Sequence, residues 1–145
     1  MADKPAWTRF FSFRGRAARR EYWRILATLF VLGIVLQLAA VIPGVVLIAL
    51  PVGLITNVIQ WAVVARRLHD LGRSGWWQVP ATALGLMVVA EAVSRGLLNP
   101  QSPQPLPPEL ALGAILMLAF FIAIGAVRGD AGSNRFGEPP SPPQR

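Results

Sequence analysis

From Val45 to Ala65 the chain runs twenty-one residues without a charged side chain. At 1.5 Å per helical residue this stretch is about 31 Å long, close to the thickness of a bilayer's hydrocarbon core. No other feature constrains the fold as strongly. In water the stretch would need polar cover, yet 54% of the 145 residues are hydrophobic and only 14% are charged, where soluble domains carry roughly 25% charged residues. In lipid it has only to satisfy its own backbone, which a helix does. Three further stretches follow the same pattern, Ile25–Ile42, Trp76–Val93 and Leu110–Val127, and Glu91 is the sole ionisable residue within them. The expected fold is all-α: a polytopic membrane protein, a four-transmembrane-helix bundle with spans at about 25–42, 45–65, 76–93 and 110–127.

The intervening segments read as turns and loops. Pro43-Gly44 is a tight turn, since Pro ends the helical ladder and Gly accepts positive φ, and Pro51 bends the second span. Residues 1–24 form a basic and aromatic lead segment, too long and polar for the n-region of a cleaved signal peptide. Residues 66–75 are a short basic loop. The 94–109 loop contains N-P-Q-S-P-Q-P-L-P-P, which favours polyproline-like backbone. The 128–145 tail is Pro-rich and expected to be disordered after 139.

Charge sets the orientation. Lys4, Arg9, Arg14, Arg16, Arg19, Arg20 and Arg24 precede the first span; Arg66, Arg67 and Arg73 lie in the middle loop; Arg128, Arg135 and Arg145 lie in the tail. With four spans these regions share one side, and the other side has only Arg95. Positive-inside asymmetry therefore places both termini and the middle loop in the cytoplasm. Tyr22, Trp23, Trp61, Trp76 and Trp77 fall near the same ends of the spans, at headgroup level. Small residues at helical spacing mark candidate helix contacts: Ala49, Gly53 and Asn57; Ala81 and Gly85; Ala119 and Ala123.

The net charge of +7 would suggest nucleic acid on a soluble chain, but here no basic stretch is free of membrane-proximal positions, so nucleic acid is not an expected partner. With no cysteine, disulfides and thiolate chemistry are excluded, and one histidine leaves little for a metal site.

Three polar clusters stand on the cytoplasmic side. The first, Phe11–Trp23, holds Gly15, Arg16, Arg19, Glu21 and Trp23. If helical from Arg16, it lines Arg16, Arg20 and Arg24 along one face, with Glu21 pairing to Arg24. Its arginines read either as anchors that snorkel to headgroups or as a site for anionic lipid, with the anchor favoured. The second, Ala65–Trp77, holds Arg66, Arg67, His69, Asp70, Gly72, Ser74, Gly75 and Trp76. Gly72 can cap the second helix and Ser74 the next. His69 and Asp70 are adjacent, but helical neighbours diverge by about 100°, so adjacency alone makes no catalytic dyad. Asp70 is instead expected to pair with cytoplasmic arginines. The third, Gly129–Pro140, holds Asn134, Arg135, Phe136 and Gly137, turn-forming residues with an aromatic anchor. It is expected to fold back on the other two as a cap with Asp70 at its electrostatic centre.

These clusters carry a resemblance. The lead motif F-x-G-R-x-x-R-x-E-Y-W, the loop R-R-L-H-D-x-G-R-S-G-W-W and the tail G-x-N-R-F-G-x-x-P resemble the domain of unknown function 805 family, from Phe11 to Pro139. The resemblance implies a small bacterial inner-membrane protein with four helices, and it implies no reaction. The chain departs from the family mainly in its Pro-rich loop and Pro-rich end.

The expected role is non-enzymatic: a scaffold or interaction component whose cytoplasmic face binds a protein partner or anionic lipid headgroups, without a cofactor. The bilayer itself is the first partner, and another membrane protein or a second copy of the chain are further ones. The alternative is a small oligomeric transporter or channel. Transport pathways usually place ionisable residues inside the spans, and Glu91 sits near an outer end.

Overall fold

The computed structural model describes residues 6–39, 42, 44–97 and 104–140. Expectations for Pro43, for most of the proline-rich loop and for the chain end past Pro140 lie outside these residues. The described residues form a 3-10 helix, Ala6–Phe11, then helices α1 (Arg19–Ala39) and α2 (Val45–Asp70), a 3-10 turn (Gly75–Gln78), α3 (Val79–Ser94) and α4 (Pro108–Ala126). They contain no strand, only an isolated bridge between Asn134 and Gly137. Among the described residues, four helices are long and apolar enough to cross a membrane. The chain divides into two compact units, Met1–Gly75 with Arg128–Arg145, and Trp76–Val127.

In the first unit α1 and α2 pack as a hairpin. Gly44 stands in the left-handed region at φ 87° just before α2, where a side chain would be strained. The helix then runs unbroken through Pro51. Burial along α2 is uneven. Leu47 and Leu54 are each 73% exposed, as Phe30 and Leu38 on α1 are at 71%, whereas Ala62 to Leu68 are buried. Apolar surface left bare on this scale is what lipid covers. The buried end of α2 carries the charged motif.

That end stops at Leu71, Gly72 and Arg73. Arg73 N–H donates to Leu68 C=O and Gly72 N–H to His69 C=O, at 2.9 and 3.0 Å, with Gly72 at φ 68°. This is the paired-bond stop that a left-handed glycine permits, as expected for Gly72. Ser74 does not occupy the N-cap of the following α-helix: a 3-10 turn intervenes and Gln78 takes that position.

In the second unit α3 and α4 pack together. A Cβ on Gly85 would lie 2.6 Å from Met117 Sδ, and one on Gly113 would lie 2.7 Å from Val88 Cγ2. Both glycines therefore permit the helices' close approach. Gly85 was expected in such a contact, whereas Gly113 carried no sequence signal. Of the other stripes, Gly53, Asn57, Ala119 and Ala123 are exposed within their own units and Ala49 is half-buried. Glu91 is paired with Arg95 at 2.7 Å, and Arg95 also reaches Glu109 at 2.9 Å. These bonds, the one to Glu91 first, raise the Arg95 pKa above its ordinary value.

Candidate functional site

The first unit brings the three polar motifs together, and Arg16 is the residue that joins them. The sequence reading placed Arg16 on a helical face with Arg20 and Arg24. Instead, Gly15 takes φ 84° and α1 begins only at Arg19, so Arg16 lies before the helix and turns inward. Its Nε donates to Asp70 Oδ1 at 3.0 Å, and Nη2 is ion-paired with the same oxygen at 2.9 Å. Nη1 donates to the Gly132 carbonyl at 2.6 Å and to that of Gly137 at 3.4 Å, and Nη2 also donates to the Asp130 carbonyl. One planar fork thus holds the end of α2 and the returning tail at once. Lysine, with a single ammonium, lacks this reach.

Asp70 is 3% exposed and completes the centre. Its Oδ2 accepts from Arg67 Nη1, and its backbone carbonyl accepts from Asp130 N–H at 2.8 Å. Arg67 is fully buried and its Nη1 also reaches the Ala17 carbonyl. Arg66 looks the other way: Nη1 meets Glu21 Oε1 at 2.7 Å, and Arg9 meets Glu21 Oε2 at 2.9 Å. Glu21 therefore pairs across 45 and 12 residues of sequence rather than with Arg24. Arg66 Nε and Nη2 are buried without a hydrogen-bond partner among the described residues. Arg16, Arg66 and Arg67, at 7%, 2% and 0% exposure, do not snorkel. A cation this deeply buried persists only when paired and hydrogen-bonded. Tyr22, expected at headgroup level, is fully buried too.

The tail closes the cluster. Asn134 Nδ2 donates to the His69 carbonyl at 3.0 Å and to Asp130 Oδ2 at 2.8 Å, while Asn134 Oδ1 accepts from Phe136 N–H at 2.9 Å. Asn134 and Gly137 exchange backbone bonds at 3.1 and 2.9 Å, with Gly137 at φ 121°. Phe136 stacks on His69, with ring centroids 3.9 Å apart and planes 6° apart, and Arg135 lies 4.7 Å from the Phe136 centroid. His69 Nδ1 meets the Gly15 carbonyl at 3.1 Å. His69 and Asp70 thus point to different partners, and neither positions the other for proton transfer. Among the described residues no three His, Cys, Asp or Glu side chains could hold a metal.

Close packing rests on glycine. A Cβ on Gly129 would collide with the Asp70 carboxylate, one on Gly72 would lie 2.9 Å from Asp130 Oδ2, and one on Gly75 would lie 2.9 Å from Ala65 Cβ. Trp76 is 80% exposed, Trp23 41%, and Arg19 is exposed. Ser74 is half-buried. Gly129, Asp130 and Gly132 lie within the third cluster but were not singled out as site residues; an acidic residue in a basic tail was the available signal for Asp130.

Comparison with known proteins places this geometry in a family. The model described as a protein of unknown function (DUF805) matches residues 10–138. The inner membrane protein YhaH of Escherichia coli K12 is 36% identical over 74 residues, covering 47% of this chain and 61% of YhaH. That match takes in less than two thirds of YhaH. The inner membrane protein YhaI of the same strain is 29% identical over 133 residues, covering 90% of this chain and 87% of YhaI. No solved structure matches the chain.

Proposed function

This chain belongs to the DUF805 family of proteins of unknown function, and on that premise we propose that it is an integral inner-membrane protein with both ends in the cytoplasm. Its role is that of a non-enzymatic interaction component. The cytoplasmic face of its motif cluster engages a protein partner or anionic lipid headgroups. One observation carries this reading: Asp70 and Glu21, the carboxylates at the centre of the motifs, are each held between two arginines. Arg16 and Arg67 hold Asp70, and Arg66 and Arg9 hold Glu21. Reacting groups have to meet a substrate, whereas groups buried in mutual pairs shape a surface. The inner-membrane names of YhaH and YhaI, the four apolar helices and the basic asymmetry support the location and orientation.

Because the chain has no cysteine, single cysteines at Ser12, Ser102 and Ser141 report orientation by labelling of intact cells with an impermeant maleimide. Only the cysteine at Ser102 should react. Labelling at Ser12 or Ser141 inverts the topology and removes the cytoplasmic face from the argument. The role is tested separately: proteoliposomes of the pure protein should pass no more ions or small solutes than empty liposomes. Protein-dependent flux would replace the interaction reading with transport.

A further inference from the structure

The cluster leaves a cavity on its flank that the three motifs do not fill. Its volume is about 780 Å³, and it is lined by Arg9, Phe10, Arg20, Arg24, Ile25 and Ile59 among others. It lies wholly within the first unit, across the opening turns of α1. Its walls change character along the helix. Arg20 and Arg24, one turn apart, supply two cations at the polar end, and Ile25, Thr28 and Ile59 supply the wall where the apolar stretch begins.

The charges along this cavity do not cancel internally. Arg9 is bonded to Glu21, and Arg16 to Asp70. Glu21, the carboxylate in the lining, already serves Arg66 as well. Arg20 and Arg24 are exposed and have no carboxylate partner among the described residues; Arg24 Nε reaches only the Arg20 carbonyl, at 3.4 Å. Two uncompensated guanidiniums above an apolar wall match an amphiphile whose anionic phosphate sits at its polar end. A free anion would fill the cationic end and leave the apolar wall bare.

We propose that this cavity seats the phosphate headgroup of an anionic glycerophospholipid, with Arg20 and Arg24 on the phosphate and the glyceride portion against Ile25 and Ile59. The assignment rests on the interaction role above and gives it a ligand class. It makes α1 a lipid-reading helix and leaves the Asp70 cluster as the support that holds the cavity's other wall. Each near-surface arginine favours anionic lipid by about fivefold, so the pair is expected to give a preference of roughly 25-fold over zwitterionic lipid.

The test is native mass spectrometry of the full chain, released from neutral detergent carrying equal amounts of phosphatidylglycerol and phosphatidylcholine. The parent should retain phosphatidylglycerol by roughly 25 to 1. Arg20→Gln/Arg24→Gln should bring the ratio near unity, while Arg20→Lys/Arg24→Lys should keep most of it. Arg14→Gln/Arg128→Gln removes the same charge outside the cavity and should leave the ratio unchanged. Equal retention of both lipids by the parent, or an equal loss in the Arg14/Arg128 variant, overturns the site. Millimolar inorganic phosphate should not displace the lipid; complete displacement would make this a free-anion site and defeat the assignment. Gel filtration and melting of each variant confirm folding, and the lysine pair decides the question if the glutamine pair does not fold. The measurement in detergent is independent of topology, so a wrong orientation, read at Ser12, and a wrong ligand fail separately.

Discussion

Replacing Asp70 by asparagine isolates the charge at the centre of the cluster, because the side chain keeps its size and one carbonyl oxygen. The carboxylate accepts a bond from Arg16 Nε, is ion-paired with Arg16 Nη2 and accepts a bond from Arg67, and those side chains are 1% and 0% exposed. In Asp70→Asn both buried guanidiniums lose the Asp70 charge, and the new amide NH₂ opposes Arg67 or Arg16. Breaking a buried ion pair by removing one partner costs about 3–5 kcal/mol. Arg16 retains the carbonyls of Gly132, Gly137 and Asp130, and Arg67 retains that of Ala17. These bonds offset part of the loss and bring the expected cost to about 2–4 kcal/mol. On the scale of roughly 2–4 °C per kcal/mol for chains of this size, the melting temperature in detergent should fall by about 10 °C. The control is Glu138→Gln, which removes an exposed carboxylate with no ion pair among the described residues and should shift melting by no more than about 1 °C. The tail around Asn134 should be cut faster by protease in Asp70→Asn than in the control. If Asp70→Asn melts with the parent and its tail is cut no faster, the motifs are independent solvated loops and the cluster argument fails.

Arg16→Lys keeps the charge but loses the fork that reaches Asp70 and the tail carbonyls, so protease should cut the tail faster while α-helical circular dichroism stays at the parent level. Gly129→Ala places a methyl against the Asp70 carboxylate and should cost about 1–3 kcal/mol by thermal melting, whereas Gly132→Ala, whose Cβ meets nothing within 4 Å, should be near neutral. Gly113→Leu should destabilise by a similar 1–3 kcal/mol in the same assay, because even its Cβ would lie 2.7 Å from Val88 Cγ2.

What the sequence revealed, and what it hid, divides by range of interaction. The apolar runs were legible because lipid requires each helix to satisfy its own backbone, a demand written into contiguous residues. The stop at Gly72 was legible for the same reason, since its bonds reach back only to Leu68 and His69. The pairings of Glu21 and Arg16 were not. A local rule favours Glu21 with Arg24, but burial of Arg66 makes the pair 45 residues away the stronger demand. Arg16 reads as helical until Gly15 turns the chain, after which its partners lie 54 and 116 residues away. Small-residue spacing identified Gly85, whereas Gly53 meets nothing within its own unit, because apolar helices produce such spacings whether or not a neighbouring helix of that unit is there. Among the candidate residues, Asn134, Phe136, His69 and Asp70 come together, while Trp23 and Trp76 keep much of their surface exposed.

The central claim, that the tail is folded against the end of α2, is tested most directly by joining the two covalently. Cysteines at His69 and Phe136, whose rings stack at 3.9 Å, are introduced into the cysteine-free chain together with a protease site in place of residues 101–107. A short bifunctional thiol reagent is applied in membranes, the loop is cut, and the fragments are separated under denaturing conditions. The account predicts that the double-cysteine chain stays joined after cleavage while each single-cysteine chain falls into two pieces. Complete separation of the double-cysteine fragments, with both thiols shown to be reactive, would contradict it.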